Sequence, residues 1–216
     1  MPPATSTHPR LNEPYGSDIV AGVLYLADRD GGGAQNEPGV SVVRRFDMKT
    51  GAPLGDVPVP GAGMLNDIAV AADGTIYATV PGAGQVWRVR PNGEASIFVQ
   101  GAPLDRPNGV ALDPEGQIVV VNTNSDAVFT FSREAALLRT EHTVQSGNDG
   151  LVIFADGTKY VSSVRNGGVS RIRPGQPAEL IAQNIPQAAS MCYDAGANQL
   201  AIPMNANNGI ALVEIP

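Results

Sequence analysis

Asn66, Asn108 and Asp149 each stand one residue before the points at which copies of a repeating unit come into register. Those points are Asp67, Gly109, Gly150 and Ser190, spaced 42, 41 and 40 residues apart. Two amide oxygens and one carboxylate make a set of hard oxygen donors. Gathered on one ring, they suit a divalent cation such as calcium before zinc. Each residue taken singly reads as turn chemistry, because Asn and Asp tolerate left-handed geometry and bond their own backbone. Their shared register is what sets them apart. The matching places in the first and last copies, Tyr15 and Ala189, add no ligand.

The repeat that positions these residues is clearest from Asp105 to Phe131, DRPNGVALDPEGQIVVVNTNSDAVFTF. A Pro-Asn-Gly corner leads into a short apolar strand, Val110 to Leu112, and then a turn over residues 113–116. Ile118 to Val121 is a continuous β-branched run, the pattern of a strand buried on both faces, and a polar turn leads to the alternating strand Ala127 to Phe131. Copies begin near Tyr15, Met64, Asp105, Gly147 and Gln187, and the last stops after three strands. A period of about 40 residues built only of strands and turns predicts an all-β fold, a β-propeller of about five four-stranded blades. Residues 1–14 read as a flexible arm and residues 15–216 as the propeller. GGGAQNEPG at Gly31 to Gly39 reads as a loop on one face, lacking the Lys and the Ser or Thr that close a phosphate loop. An innermost strand follows each corner, so equivalent corners ring one mouth of the central channel.

Composition agrees. The 216 residues carry 25 glycines and 18 prolines but only 5% aromatics, a mixture that favours short strands and tight turns. A net charge of −7 argues against a nucleic-acid partner or an anionic membrane surface and is compatible with cations and small ligands. Cys192 is the single cysteine, which excludes an internal disulfide and a cysteine-based zinc site. No apolar run approaches the roughly 18 to 20 residues of a membrane span, and MPPATSTHPRLNEP lacks the apolar core of a signal peptide. Compartment is left open: cytoplasmic by default, periplasmic or secreted if the N-terminus is truncated.

The corners LNDIAVAADG, RPNGVALDPEG and NDGLVIFADG, in this order, together with LAIPMN at Leu200 to Asn205, resemble the senescence marker protein, regucalcin and gluconolactonase family of six-bladed propellers. Paraoxonases and strictosidine-synthase-like proteins are its distant relatives. The resemblance implies that Asn108 and Asp149 are metal ligands and that Asn66 contacts metal or substrate. It further implies hydrolysis of a lactone or related ester, such as a sugar lactone, with Ca2+, or alternatively Zn2+ or another divalent cation. Asp149, the only carboxylate of the trio, would then be both ligand and general base. The family's first blade supplies a glutamate ligand. No matching glutamate precedes Tyr15 here, and neither Glu13 nor Asp18 aligns with it. An incomplete ring would expose sheet edges and invite a homodimer.

Other residues read more plainly. Asp73, Glu115 and Asp156 belong to hairpin turns. Trp87 is an inter-blade core residue, Cys192 a small core residue, and His142 an exposed residue of an outer strand, while His8 lies in the arm. Ser162, Ser163 and Arg165 leave the fourth blade toward the channel, where Arg165 could orient an anionic or polyol substrate. The competing function is a non-catalytic, NHL-like propeller that binds a protein or glycan at its mouth.

Overall fold

The computed structural model describes residues 11–30 and 40–216. Most of the expected arm, with His8, and the Gly31 to Gly39 loop lie outside the described residues. The chain forms a five-bladed β-propeller. The first blade is β1 (Ser17–Val20), β2 (Val23–Asp30), β3 (Val40–Asp47) and β4 (Pro53–Pro58). The second is β5 (Ile68–Val70), β6 (Ile76–Val80), β7 (Gln85–Val89) and β8 (Ala95–Gln100). The third is β9 (Pro107–Leu112), β10 (Ile118–Asn122), β11 (Ala127–Phe131) and β12 (Leu137–His142). The fourth is β13 (Asn148–Ile153), β14 (Lys159–Ser163), β15 (Val169–Ile172) and β16 (Glu179–Ala182). The fifth holds three strands, β17 (Cys192–Asp194), β18 (Gln199–Met204) and β19 (Gly209–Glu214), as the truncated last repeat foretold. Every blade is an antiparallel meander.

The β-branched run that predicted a doubly buried strand forms β10, where Ile118, Val119, Val120 and Val121 are each fully buried. Its alternate side chains feed two different cores: Ile118 and Val120 pack toward the second blade, Val119 and Val121 toward the fourth. Removing both faces from water is the hydrophobic drive that stacks blades radially. Trp87 takes its expected place in the core between the first and second blades, its indole N–H donating to Gln85 at 2.8 Å. A further core joins the fourth and fifth blades through Tyr160, Val169, Leu200 and Ile202. Among the described residues, no core cluster joins the fifth blade to the first.

The hairpin turns follow their sequence signals with one change. Asp73 and Asp156 accept the backbone N–H of Thr75 and Thr158. In the third blade Asp113, not Glu115, does this work, accepting the N–H groups of Glu115 and Gln117. Among the described residues, no helix is long and apolar enough to cross a membrane.

Candidate functional site at one mouth of the channel

The innermost strands β1, β5, β9, β13 and β17 surround a central cavity of about 730 Å3, with Gly16, Asp67, Gly150 and Ser190 in its lining. Corner residues are tied to one another blade by blade. Gly16 N–H donates to the Asn66 carbonyl at 2.7 Å. The buried Thr79 hydroxyl accepts from Asp67 N–H at 3.0 Å and donates to the Asn108 carbonyl at 2.5 Å, joining the second and third corners. Ser162 repeats this role one interface on, accepting from Gly150 N–H at 2.8 Å and donating to the Ala189 carbonyl at 2.6 Å. Sequence reasoning sent Ser162 and Ser163 toward the channel. Both are instead buried, and Ser163 donates to the Ser146 carbonyl, so they are fasteners of the backbone.

Close approach of neighbouring corners demands glycine at three of the aligned positions, the first being Gly16, where a Cβ would lie 2.6 Å from Asp67 Cα. A Cβ on Gly109 would lie 2.2 Å from the Asp149 carbonyl oxygen, and one on Gly150 would lie 2.7 Å from Met191 N. The absent side chain at residue 109 therefore lets Asn108 and Asp149 meet.

They do meet. Asn108 Nδ2 donates to Asp149 Oδ2 at 3.3 Å and to Thr123 Oγ1 at 3.2 Å. Ser190 Oγ donates to Asp149 Oδ1 at 3.5 Å, from the next corner. Asn108 is 9% exposed, and its Oδ1 is buried without a hydrogen-bond partner. Asn66 lies at the neighbouring corner, linked to Asn108 only through the Thr79 staple, and its side chain makes no hydrogen bond among the described residues. Arg165 is exposed at the loop end of the fourth blade. It reaches across to the third, donating to Asn124 Oδ1 at 2.5 Å, and Asn124 in turn donates to Asp105 at 2.8 Å. Arg165 thus braces the residue after Thr123 rather than touching Asn108 or Asp149.

Burial pushes the Asp149 carboxyl up to about 6, against the opposing hydrogen bonds from Ser190 and Asn108. Asp67, one residue beyond Asn66, is pushed further, to about 7. Burial is the main cause, the N–H groups of Val110 and Ile68 oppose it, and the charges of Asp149 and Asp18 add to it. Asp67 Oδ2 accepts Val110 N–H at 2.9 Å, and Asp18 Oδ2 accepts Val70 N–H at 2.8 Å. Asp67, Ser190 and Thr123 were not singled out as site residues from sequence. An Asp following an Asn at the second corner was the one available signal.

Raised carboxyl pKa values reverse the usual pH dependence. Between the unfolded value of 3.8 and the folded values of about 6 and 7, the native state holds protons that the unfolded chain has released. Stability from these two groups is therefore greatest below pH 3.8 and is lost as pH rises to about 7. Asp28 works in the opposite sense and in another window. Burial favours its neutral form, but Arg44 and the N–H groups of Arg29, Glu13 and Asn12 together hold its pKa below 3.8, so its contribution is lost only in stronger acid. Chemical denaturation of metal-free protein should show stability falling by on the order of a few kcal/mol from pH 4 to pH 7. Asp67→Asn keeps an oxygen for Val110 and should flatten much of that slope; an unchanged slope would mean Asp67 is not its source.

One residue stands elsewhere than the sequence suggested: Cys192 is exposed, not a core residue, and lines the central cavity. Of the two acids considered for the missing ligand, Glu13 pairs with Arg29 at 3.7 Å, and Asp18 lines the cavity while bonded to Val70. His142 is exposed as expected and pairs with Asp126 at 3.2 Å.

Among the described residues, no three His, Cys, Asp or Glu side chains form a group able to hold a metal ion. Any cation at this mouth would draw on amide oxygens beside Asp149.

The family model for the SMP-30/gluconolactonase/LRE-like region matches residues 20–202. The chain belongs to this family. Its propeller fold recurs in a virginiamycin B lyase from Staphylococcus aureus, at 13% identity and a TM-score of 0.67, with 94% of this chain and 70% of that chain covered. It recurs in a gluconolactonase from Xanthomonas campestris at 21% identity and a TM-score of 0.68, covering 94% and 72%. A putative gluconolactonase matches at 15% identity and a TM-score of 0.64, covering 95% of this chain and 91% of its own. At such identities these structures speak for the fold alone. No curated protein matches the chain.

Proposed function

We propose that this family member is a metal-dependent hydrolase of lactones, sugar lactones or related esters, working at the Asn108–Asp149 mouth with calcium as the preferred ion. The observation that carries the reading is the orphaned Asn108 Oδ1, buried without a partner beside a carboxylate. Leaving a buried acceptor unpaired costs about 1–3 kcal/mol. Asn108 Oδ1 and the Asp149 carboxylate would hold a hard cation, which would remove that penalty and favour the ionised carboxylate. Asn66 would contribute from the adjacent corner, to the metal or to the substrate.

When bound, the cation supplies Lewis-acid polarisation of the lactone carbonyl. The chain's own residues do the rest. Asn108 is oriented for its task because Thr123 and Asp149 both accept from its Nδ2, leaving Oδ1 turned away from protein donors. Ser190 steadies Asp149 from the other side. Asp149, ionised at neutral pH, would take a proton from an attacking water. After ring opening, the same proton can return to the leaving alkoxide. Arg165, braced by Asn124, stands on the rim where a polyol or anionic group would enter.

Purified protein should open lactone rings in calcium, lose that activity in chelator and regain it when calcium is returned. Acid release measured with a pH indicator across sugar and aliphatic lactones tests the reading. No turnover with any member in calcium, zinc or magnesium would overturn it in favour of a binding module.

A further inference from the structure

A second cavity lies away from the channel, at the seam between the third and fourth blades. It measures about 490 Å3, and the turns that follow β9 and β13 form part of its wall. Pockets for small ligands run from about 300 to 1,000 Å3. The corners stand at the opposite ends of β9 and β13, so this cavity opens on the other face of the propeller.

Three of its lining residues are charged where the repeat elsewhere is apolar. Asp113, Ala71 and Phe154 hold one position of the repeat, each closing its hairpin turn with an N–H to the carbonyl four residues on. Lys159, Ile76 and Ile118 hold another, each paired with the last residue of the innermost strand. Glu141 stands opposite Val128 as Val99 stands opposite Val86 and Ala182 opposite Val169. The neighbouring blades thus build the same places from Ala, Phe, Ile and Val. Putting a buried ion pair there instead is commonly neutral or unfavourable for stability. A local break of the folding pattern of this kind points to function.

With Arg139 the charged groups close to a neutral set. Lys159, 3% exposed, donates from Nζ to Glu141 Oε1 at 3.2 Å and lies 2.9 Å from Oε2. Asp113 Oδ1 is taken by the N–H groups of Glu115 and Gln117, whereas Oδ2, on a side chain only 4% exposed, is buried without a hydrogen-bond partner. That oxygen faces Arg139, whose Nη2 is 3.9 Å away, while Arg139 Nε stands 3.6 Å from Glu141 Oε2. Both gaps are too long for hydrogen bonds. Arg139 is half exposed and is therefore the group that can move aside, leaving an acceptor next to donors. The other charged lining residues, Glu115 and Asp156, are exposed on turns, where water and salt screen them.

We propose that this seam binds a neutral polyhydroxylated ligand, a sugar or polyol. A hydroxyl both donates and accepts, so one can give its proton to Asp113 Oδ2 while it or its neighbour accepts from Arg139 or Lys159. A charged ligand would upset a set that is already balanced. Pro114, Leu138 and Pro174 supply an apolar wall for the C–H face of a sugar ring. Neither a cation nor Asp149 is needed for this binding.

Isothermal titration calorimetry of the full chain in chelator, with glucose, sorbitol, gluconate and glucosamine as probes, tests the assignment. Glucose or sorbitol should bind, and the two charged probes should bind more weakly or not at all. Asp113→Asn keeps Oδ1 for the turn but presents a donor where the ligand's hydroxyl needs an acceptor, and should weaken binding at least about tenfold. Lys159→Ile combined with Glu141→Val gives the seam the side chains of the neighbouring blades; it should melt no lower than native and should also lose binding. No heat with either neutral probe, a charged probe that binds at least as tightly, or binding unchanged in either folded variant would overturn the proposal. So would a lower melting temperature in the double variant, which would make the ion pair a structural one. The double variant carries the test should Asp113→Asn disturb folding.

Discussion

Asp149→Ala should reduce lactone hydrolysis by at least about 10^3-fold while leaving the propeller folded, because one carboxylate stands for both the charge that would hold the cation and the base that would take the proton. Among the described residues its side chain hydrogen-bonds only with Asn108 and Ser190, and it is not part of the apolar cores, so stability should change little in chelator. The metal-free variant is even expected to gain stability at pH 7, since a carboxyl whose pKa burial has raised to about 6 would no longer be forced to ionise there. Asp149→Asn is the informative companion. It keeps shape and one oxygen but removes the charge, and it should lose turnover nearly as fully. Steady-state kinetics with calcium, paired with circular dichroism, measures both. Turnover within tenfold of native in Asp149→Ala would remove Asp149 from the mechanism.

Gly109→Ala should produce a marked loss of stability. Its Cβ would sit 2.2 Å from the Asp149 carbonyl oxygen and 3.0 Å from Val121 Cγ2, and the first of these is backbone that cannot swing away. The third and fourth blades would have to part, disturbing a shared core that includes Val121, Leu151 and Val161. A cost of about 2–4 kcal/mol is expected from overpacking of this kind. The separation also pulls Asp149 from Asn108, so calcium affinity should fall even where the variant remains folded. Urea unfolding with and without calcium reads both effects. A variant as stable as native would show that the corners are not packed as described.

Much of this architecture was legible because it rests on local pattern repeated in register. The β-branched run at Ile118 to Val121 announced a strand buried on both faces. Aligning Asp67, Gly109 and Gly150 placed Asn108 beside Asp149 before any distance was known. What escaped the sequence depends on neighbours remote along the chain. Cys192 lies in an apolar segment and reads as core, yet its side of β17 faces the central cavity formed with remote blades. Ser162 resembled a channel residue, but its hydroxyl is consumed by the Ala189 carbonyl, 27 residues away. Asp67 marked only the register of its corner. Its carboxylate instead crosses to Val110 of the next blade, 43 residues on, and burial there makes it a titrating group near neutrality.

The central claim is that the buried, unpartnered oxygen of Asn108 and the carboxylate of Asp149 together hold a divalent cation. A thermal melt at pH 7 tests it most directly, comparing chelator with calcium, magnesium and zinc. Calcium at about 100 times its dissociation constant should stabilise the fold by about 2.7 kcal/mol, because it binds the native state alone. That gain should vanish in Asp149→Ala and shrink in Asn108→Ala. Identical melts in chelator and in every metal would contradict the account.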